Sequence, residues 1–169
     1  MSLQDDLKKQ ARQLATREPK RPRQASLRRA VSTAYYGLFH LLVADSSRLL
    51  LAGQDRQHLR DTLSRAFAHA DMKKVAQQFA TNRVQGKIAP ALGNNQIPVR
   101  LQDVAQAFVD LQQARHEADY DVSRRFTRSE TLDLIDQADQ AFIDWSQTRR
   151  DPAAEAFMLS LLVSNRLKA

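Results

Sequence analysis

Apolar residues recur at three- and four-residue spacings along most of this chain, the period of helices that bury one face. The first such stretch carries Leu3, Leu7 and Leu14 as its apolar edge. Ser2 stands where it can cap this helix, and Asp5 and Asp6 fall in its first turn, near the positive end of the helix dipole. Pro19 and Pro22 end it within a segment rich in Arg and Lys. A long helix is expected from about Gln24 to Leu51, because Leu27, Val31, Ala34, Leu38, Leu42 and Leu49 share a face and Gly53 is placed to stop it. A third follows with Leu59, Leu63, Ala66, Phe67 and Ala70 inward, continuing through Met72, Val75, Ala76 and Phe79 after a kink near His69–Asp71. Between Thr81 and Val99 the period fails, at Gly86, Pro90, Gly93, Asn94, Asn95 and Pro98. That segment reads as a long irregular surface loop inside one domain spanning residues 1–169. The period returns from about Val99 to Val122. Thr127-Arg128-Ser129-Glu130 has the form of a capping box, in which each side chain bonds the other's backbone, and opens a helix with Leu134, Ile135, Ala138, Phe142 and Trp145 on its core face. Asp151-Pro152 opens the last helix as cap and first helical residue, with Phe157, Leu161 and Leu162 to dock it.

Composition agrees with helices. Only four glycines and five prolines encode turns, and no run of alternating β-branched residues suggests a strand. The expectation is an all-α, up-and-down bundle of four to six helices, without internal repeats. The chain has no cysteine, which excludes disulfides, thiolate metal sites and a thiol nucleophile. The acidic, polar start is unlike a signal peptide, and no apolar run approaches the length of a membrane span, so a cytoplasmic protein without membrane contact is expected. The net charge of +7 makes a polyanion a plausible partner, although arginines that only solvate helix faces would produce the same sum.

The helix around residue 115 is the most informative. Leu101, Val104, Phe108, Leu111, Arg115, Ala118 and Val122 form a heptad-like seam interrupted by a permanent charge. A buried charge needs a partner or a wet cleft, and Asp119 lies one turn away. Either Arg115 and Asp119 pair internally, or Arg115 faces a cleft where its planar fork can hold a phosphate. The long helix offers a polar stripe of Arg29, Ser32, Tyr36 and His40, with Tyr35 toward the apolar side. Packing with the hydroxyl at the edge explains the tyrosines, and His40 is either a base or a hydrogen-bonded structural residue. Asp55-x-x-His58 has ligand spacing, but no second such pair completes a di-metal bundle site. No Gly-rich phosphate loop, HExxH motif or recognisable hydrolase triad is present. No metal, cofactor or catalytic residue is therefore assigned.

Two stretches carry a resemblance. Arg28-Arg29-Ala30-Val31-Ser32-Thr33-Ala34-Tyr35-Tyr36-Gly37-Leu38-Phe39-His40 resembles the long-helix signature of prokaryotic HEPN proteins. Arg115-His116-Glu117-Ala118-Asp119-Tyr120-Asp121 resembles the Arg-x-x-Ala-Asp-Tyr signature of one branch of that family. The resemblance covers about Gln24 to Trp145 and implies an often dimeric helical bundle. Many members are RNA-cleaving toxins or partners of small nucleotidyltransferases. Their cleaving motif is an Arg followed after four to six residues by a His; Arg115 matches the Arg, but no His follows at that spacing. The expected function is binding of RNA, a nucleotide or a partner protein, without catalysis, through a polar and basic cleft of Arg115, Asp119, Tyr120, Tyr36, His40, Arg29 and Ser32. The alternatives are a metal-independent endoribonuclease of toxin type and a protein-interaction module in which Arg115 and Asp119 are structural. A homodimer is expected from the resemblance and from the apolar edges of the first and last helices.

Overall fold

The computed structural model describes residues 2–164 and 166. Among them all regular structure is helical: α1 (Leu3–Thr16), α2 (Gln24–Leu50), α3 (Gln57–Ser64), α4 (His69–Ala80), α5 (Ala89–Leu92), α6 (Val99–Tyr120), α7 (Arg128–Thr148) and α8 (Pro152–Val163). The described helices outnumber the expected four to six for two reasons. The third expected helix is broken at residues 65–68, where Ala66 N donates to Leu63 O at 2.9 Å and Arg65 N to Thr62 O at 3.3 Å; these tight three-residue turns stop α3. Leu59 and Ala70, expected inward, are exposed as a result, while Phe67 is buried. The segment 81–99 is not wholly irregular either. It holds a single 3-10 turn at Gly86–Ile88 and the four-residue α5, with Ile88 and Ile97 buried as anchors and α5 packed on α8. Gly93 ends α5 at φ 58°, a conformation open to glycine because it has no Cβ.

The chain divides into two compact units, Met1–His40 with Ala107–Ile143 and Leu41–Gln106 with Asp144–Ala169. In the first unit, α1 and α7 run antiparallel: Lys8 pairs with Asp139 at 3.4 Å, and Arg12 with Asp136 at 2.5 Å and Asp139 at 2.8 Å. Its core gathers Leu27, Val31, Ala114, Ala118 and Phe126, with Leu134 against them. The face α1 buries is Ala11 and Ala15; Leu3 of the expected apolar edge is 58% exposed. The second unit packs Phe79 on Phe157 with ring centroids 4.9 Å apart, and Trp145 on Phe157 at 6.3 Å.

The helix ends use much of the positive charge. Arg28 donates to the carbonyls of Ala118 and Asp121, each at 2.8 Å, and to that of Arg124, closing the C-terminus of α6. Arg60 does the same just past α2, at Leu51 and Gly53, and Arg128 at the end of α1, at Ala15 within it and at Glu18 and Pro19 past it. The last carbonyls of a helix have no partner within it, and a guanidinium satisfies several at once. Two expected N-caps form: Ser2 accepts from Asp5 N and Asp151 from Ala153 N. At Thr127 only half of the expected box is made. Its hydroxyl accepts from Glu130 N at 3.1 Å, while the Glu130 carboxylate turns to Arg124 instead.

Candidate functional site

Within the first unit α2 and α6 run antiparallel, which sets the polar stripe of α2 against the interrupted seam of α6. Ser32 donates to Asp119 Oδ1 at 2.6 Å, and Arg115 Nη2 donates to the Tyr36 hydroxyl at 2.9 Å. Arg115 Nε lies 2.7 Å from Asp119 Oδ2, yet its N–H is aimed at no acceptor, so the contact is an ion pair by proximity, not an aligned hydrogen bond. The guanidinium sits between two rings, 5.5 Å from the Tyr36 centroid and 5.6 Å from that of Tyr120. Its side chain is 15% exposed and that of Asp119 28%. Burial pulls the Arg115 pKa down, but Tyr36 and Asp119 outweigh it and hold the group above its ordinary value.

The predicted residues do not all join this network. Tyr35 is buried beneath it, with its phenol pushed upward by burial. His40 stacks on Tyr36 at 6.2 Å and is half-buried; burial lowers its pKa and favours the neutral ring. Arg29 is exposed and, among the described residues, shares no hydrogen bond or ion pair with Arg115 or Asp119.

The neighbouring surface joins Tyr120, an expected site residue, to residues that the expected cleft did not include. Tyr120 is 65% exposed, and His116, one turn earlier on α6, lies 5.1 Å from it, ring to ring. The four-residue spacing was the available signal. With Gln113, Glu117, Asp121 and Arg124 they line an open groove of about 720 Å³. Gln113 and Arg124 both donate to Glu117 at 3.1 Å and hold its carboxyl below the usual range. Beside this groove the two connections of the unit meet: the Gln24 side chain bonds both Phe126 N and Phe126 O, at 2.9 and 2.7 Å. One connection carries exposed Arg17, Lys20, Arg21 and Arg23; the other carries exposed Arg125.

Among the described residues no three metal-ligating side chains gather, and no helix is long and apolar enough to cross a membrane. No family model matches the chain, and neither a curated protein nor a solved structure matches it.

Proposed function

We propose that the first unit binds single-stranded RNA without cleaving it, a base stacking on Tyr120 and His116 and the backbone following the basic connections. The observation that carries this reading is the exposed ring pair in a groove that Arg124 also lines, with Arg125 next along the chain and, through the Gln24–Phe126 bonds, the connection that carries Arg17, Lys20, Arg21 and Arg23 joined to the same segment. Stacking platforms flanked by cations suit single strands, whose bases are free to splay and whose phosphates attract charge. In this reading Arg115 is a positioning residue. Tied to Asp119 and Tyr36, it holds the Tyr120 ring in place and is not itself the main phosphate contact. Cleavage at the ribose 2′-hydroxyl needs a proton acceptor and a proton donor on either side of the phosphate. His40 is neutral enough to accept, but it is stacked on Tyr36, and Asp119 already takes Ser32 and Arg115. The HEPN resemblance adds two further proposals, association as a homodimer and a partner of the small nucleotidyltransferase type.

The test is fluorescence anisotropy with a labelled oligouridine of about 12 nucleotides, a length suited to one such platform, followed by a gel of the recovered RNA. Binding that weakens as salt rises, with the RNA intact, is the expected result, because phosphate contacts release counterions. Cleaved RNA would instead favour the endoribonuclease. Absence of binding at low salt would leave the protein-interaction module.

A further inference from the structure

The second unit contains a separate charged constellation centred on Asp45 of α2, whose side chain is only 8% exposed. A carboxylate taken that far from water needs several donors. Trp145 Nε1 donates to Oδ2 at 2.8 Å, Arg149 Nη1 lies 3.4 Å from the same oxygen, and Arg48 Nη1 donates to Oδ1 at 3.1 Å. One buried carboxylate therefore holds two guanidiniums side by side and neutralises only one of them. Arg48 and Arg149 are 61% and 46% exposed, so much of each fork remains turned to solvent. A guanidinium has five N–H donors, and Asp45 occupies few of the ten that these two supply.

Arg48, Arg149 and the adjacent Arg150 line a cavity of about 270 Å³ with Asp45, Glu155, Leu49 and Met158. Three positive charges against two negative leave this lining at +1. We propose that this cavity binds the phosphoryl group of a small phosphate monoester. Paired planar forks match the oxygens of such a dianion, and their fixation by Asp45 removes much of the ordering cost of binding. Leu49 and Met158 give the organic part an apolar wall, and Glu155 can accept a hydroxyl hydrogen from it. A pocket of this size suffices for one phosphoryl group with a small body. The same chemistry is offered by a free sugar or polyol phosphate and by the 5′-phosphate of an RNA end.

Trp145 is the only tryptophan in the chain and touches Asp45, so its emission reports on this site. The experiment titrates the full chain with glycerol 3-phosphate, with inorganic phosphate and with a 5′-phosphorylated diuridylate, following Trp145 emission. The expected result is a saturable change with glycerol 3-phosphate, weakened about tenfold or more in Arg149→Gln through loss of a charge-assisted fork. Arg150→Gln, which does not touch Asp45, should weaken binding in the same direction and guards against a change caused by altered folding. A saturable response to the diuridylate identifies the RNA end as an occupant; a response to glycerol 3-phosphate alone identifies a free metabolite. No saturable change with any phosphate, or one unaltered in both variants, overturns the proposal. Because the cavity belongs wholly to the second unit, its failure leaves oligouridine binding by the first unit unaffected.

Discussion

Arg115 shows how far a single residue is legible. Its place in an apolar seam and the carboxylate one turn later were visible in the sequence, and the ion pair exists. Periodicity could not say which way the pair faces, nor that Tyr36 and Ser32 complete it from another helix, because those contacts span 79 and 87 residues. Removing one partner of a fully buried ion pair costs about 3–5 kcal/mol, and the partial exposure here reduces this to about 2 kcal/mol for Arg115→Ala. Tyr36→Phe, which removes one hydrogen bond, should cost about 1 kcal/mol. Urea unfolding of both variants checks the order of the two effects. His40 supplies a pH dependence. Its folded pKa lies below its unfolded value, so the folded state binds fewer protons as the ring titrates. Its contribution is therefore fully present above about pH 6.5 and lost as pH falls through the folded pKa. His40→Gln should flatten the part of the Tm profile that declines below that pH; an unchanged profile would show that His40 is not its source.

At the scale of elements, the long helices and the cap at Asp151 were written in period and punctuation, whereas the breaks were not. The stop at residues 65–68 has neither Gly nor Pro, and the turn hydrogen bonds that make it arise only in the folded chain. The anchoring of residues 81–99 was hidden because the four-residue spacing of Val84, Ile88 and Leu92 is interrupted by Gly86, Pro90 and Gly93, and Ile97 stands outside it. The C-terminal caps were the least legible feature. No local pattern assigns Arg28 a capping role, yet it closes the end of α6 from about 90 residues away. Charge-assisted bonds to helix carbonyls are worth about 1.5–3 kcal/mol, so Arg28→Met should destabilise by about 2 kcal/mol. It should also lower amide protection in the last turn of α6, measured by hydrogen exchange. Equal protection in variant and wild type would contradict the capping role.

Over the whole molecule, many of the arginines that contribute to the net charge of +7 are tied to groups of the chain itself. Arg28, Arg60 and Arg128 satisfy carbonyls, and Arg12, Arg115 and Arg124 are paired with carboxylates. Exposed cations of the first unit include Arg17, Lys20, Arg21 and Arg23 in one connection and Arg125 in the other, which the Gln24–Phe126 bonds join. Of the two apolar edges behind the proposed homodimer, α1 leaves Leu3 58% exposed, whereas Phe157, Leu161 and Leu162 of α8 are buried within the chain. Light scattering at micromolar concentration should return twice the chain's 19.2 kDa; a monomer mass would remove that proposal. The central claim, that Tyr120 is the stacking platform of an RNA-binding surface, is tested most directly by oligouridine anisotropy on wild type, Tyr120→Phe and Tyr120→Ala. A stacked base contributes about 1–3 kcal/mol, so Tyr120→Ala should weaken binding by roughly 5- to 150-fold while Tyr120→Phe stays near wild type. Equal affinity in all three proteins, or no binding by any, would contradict the account.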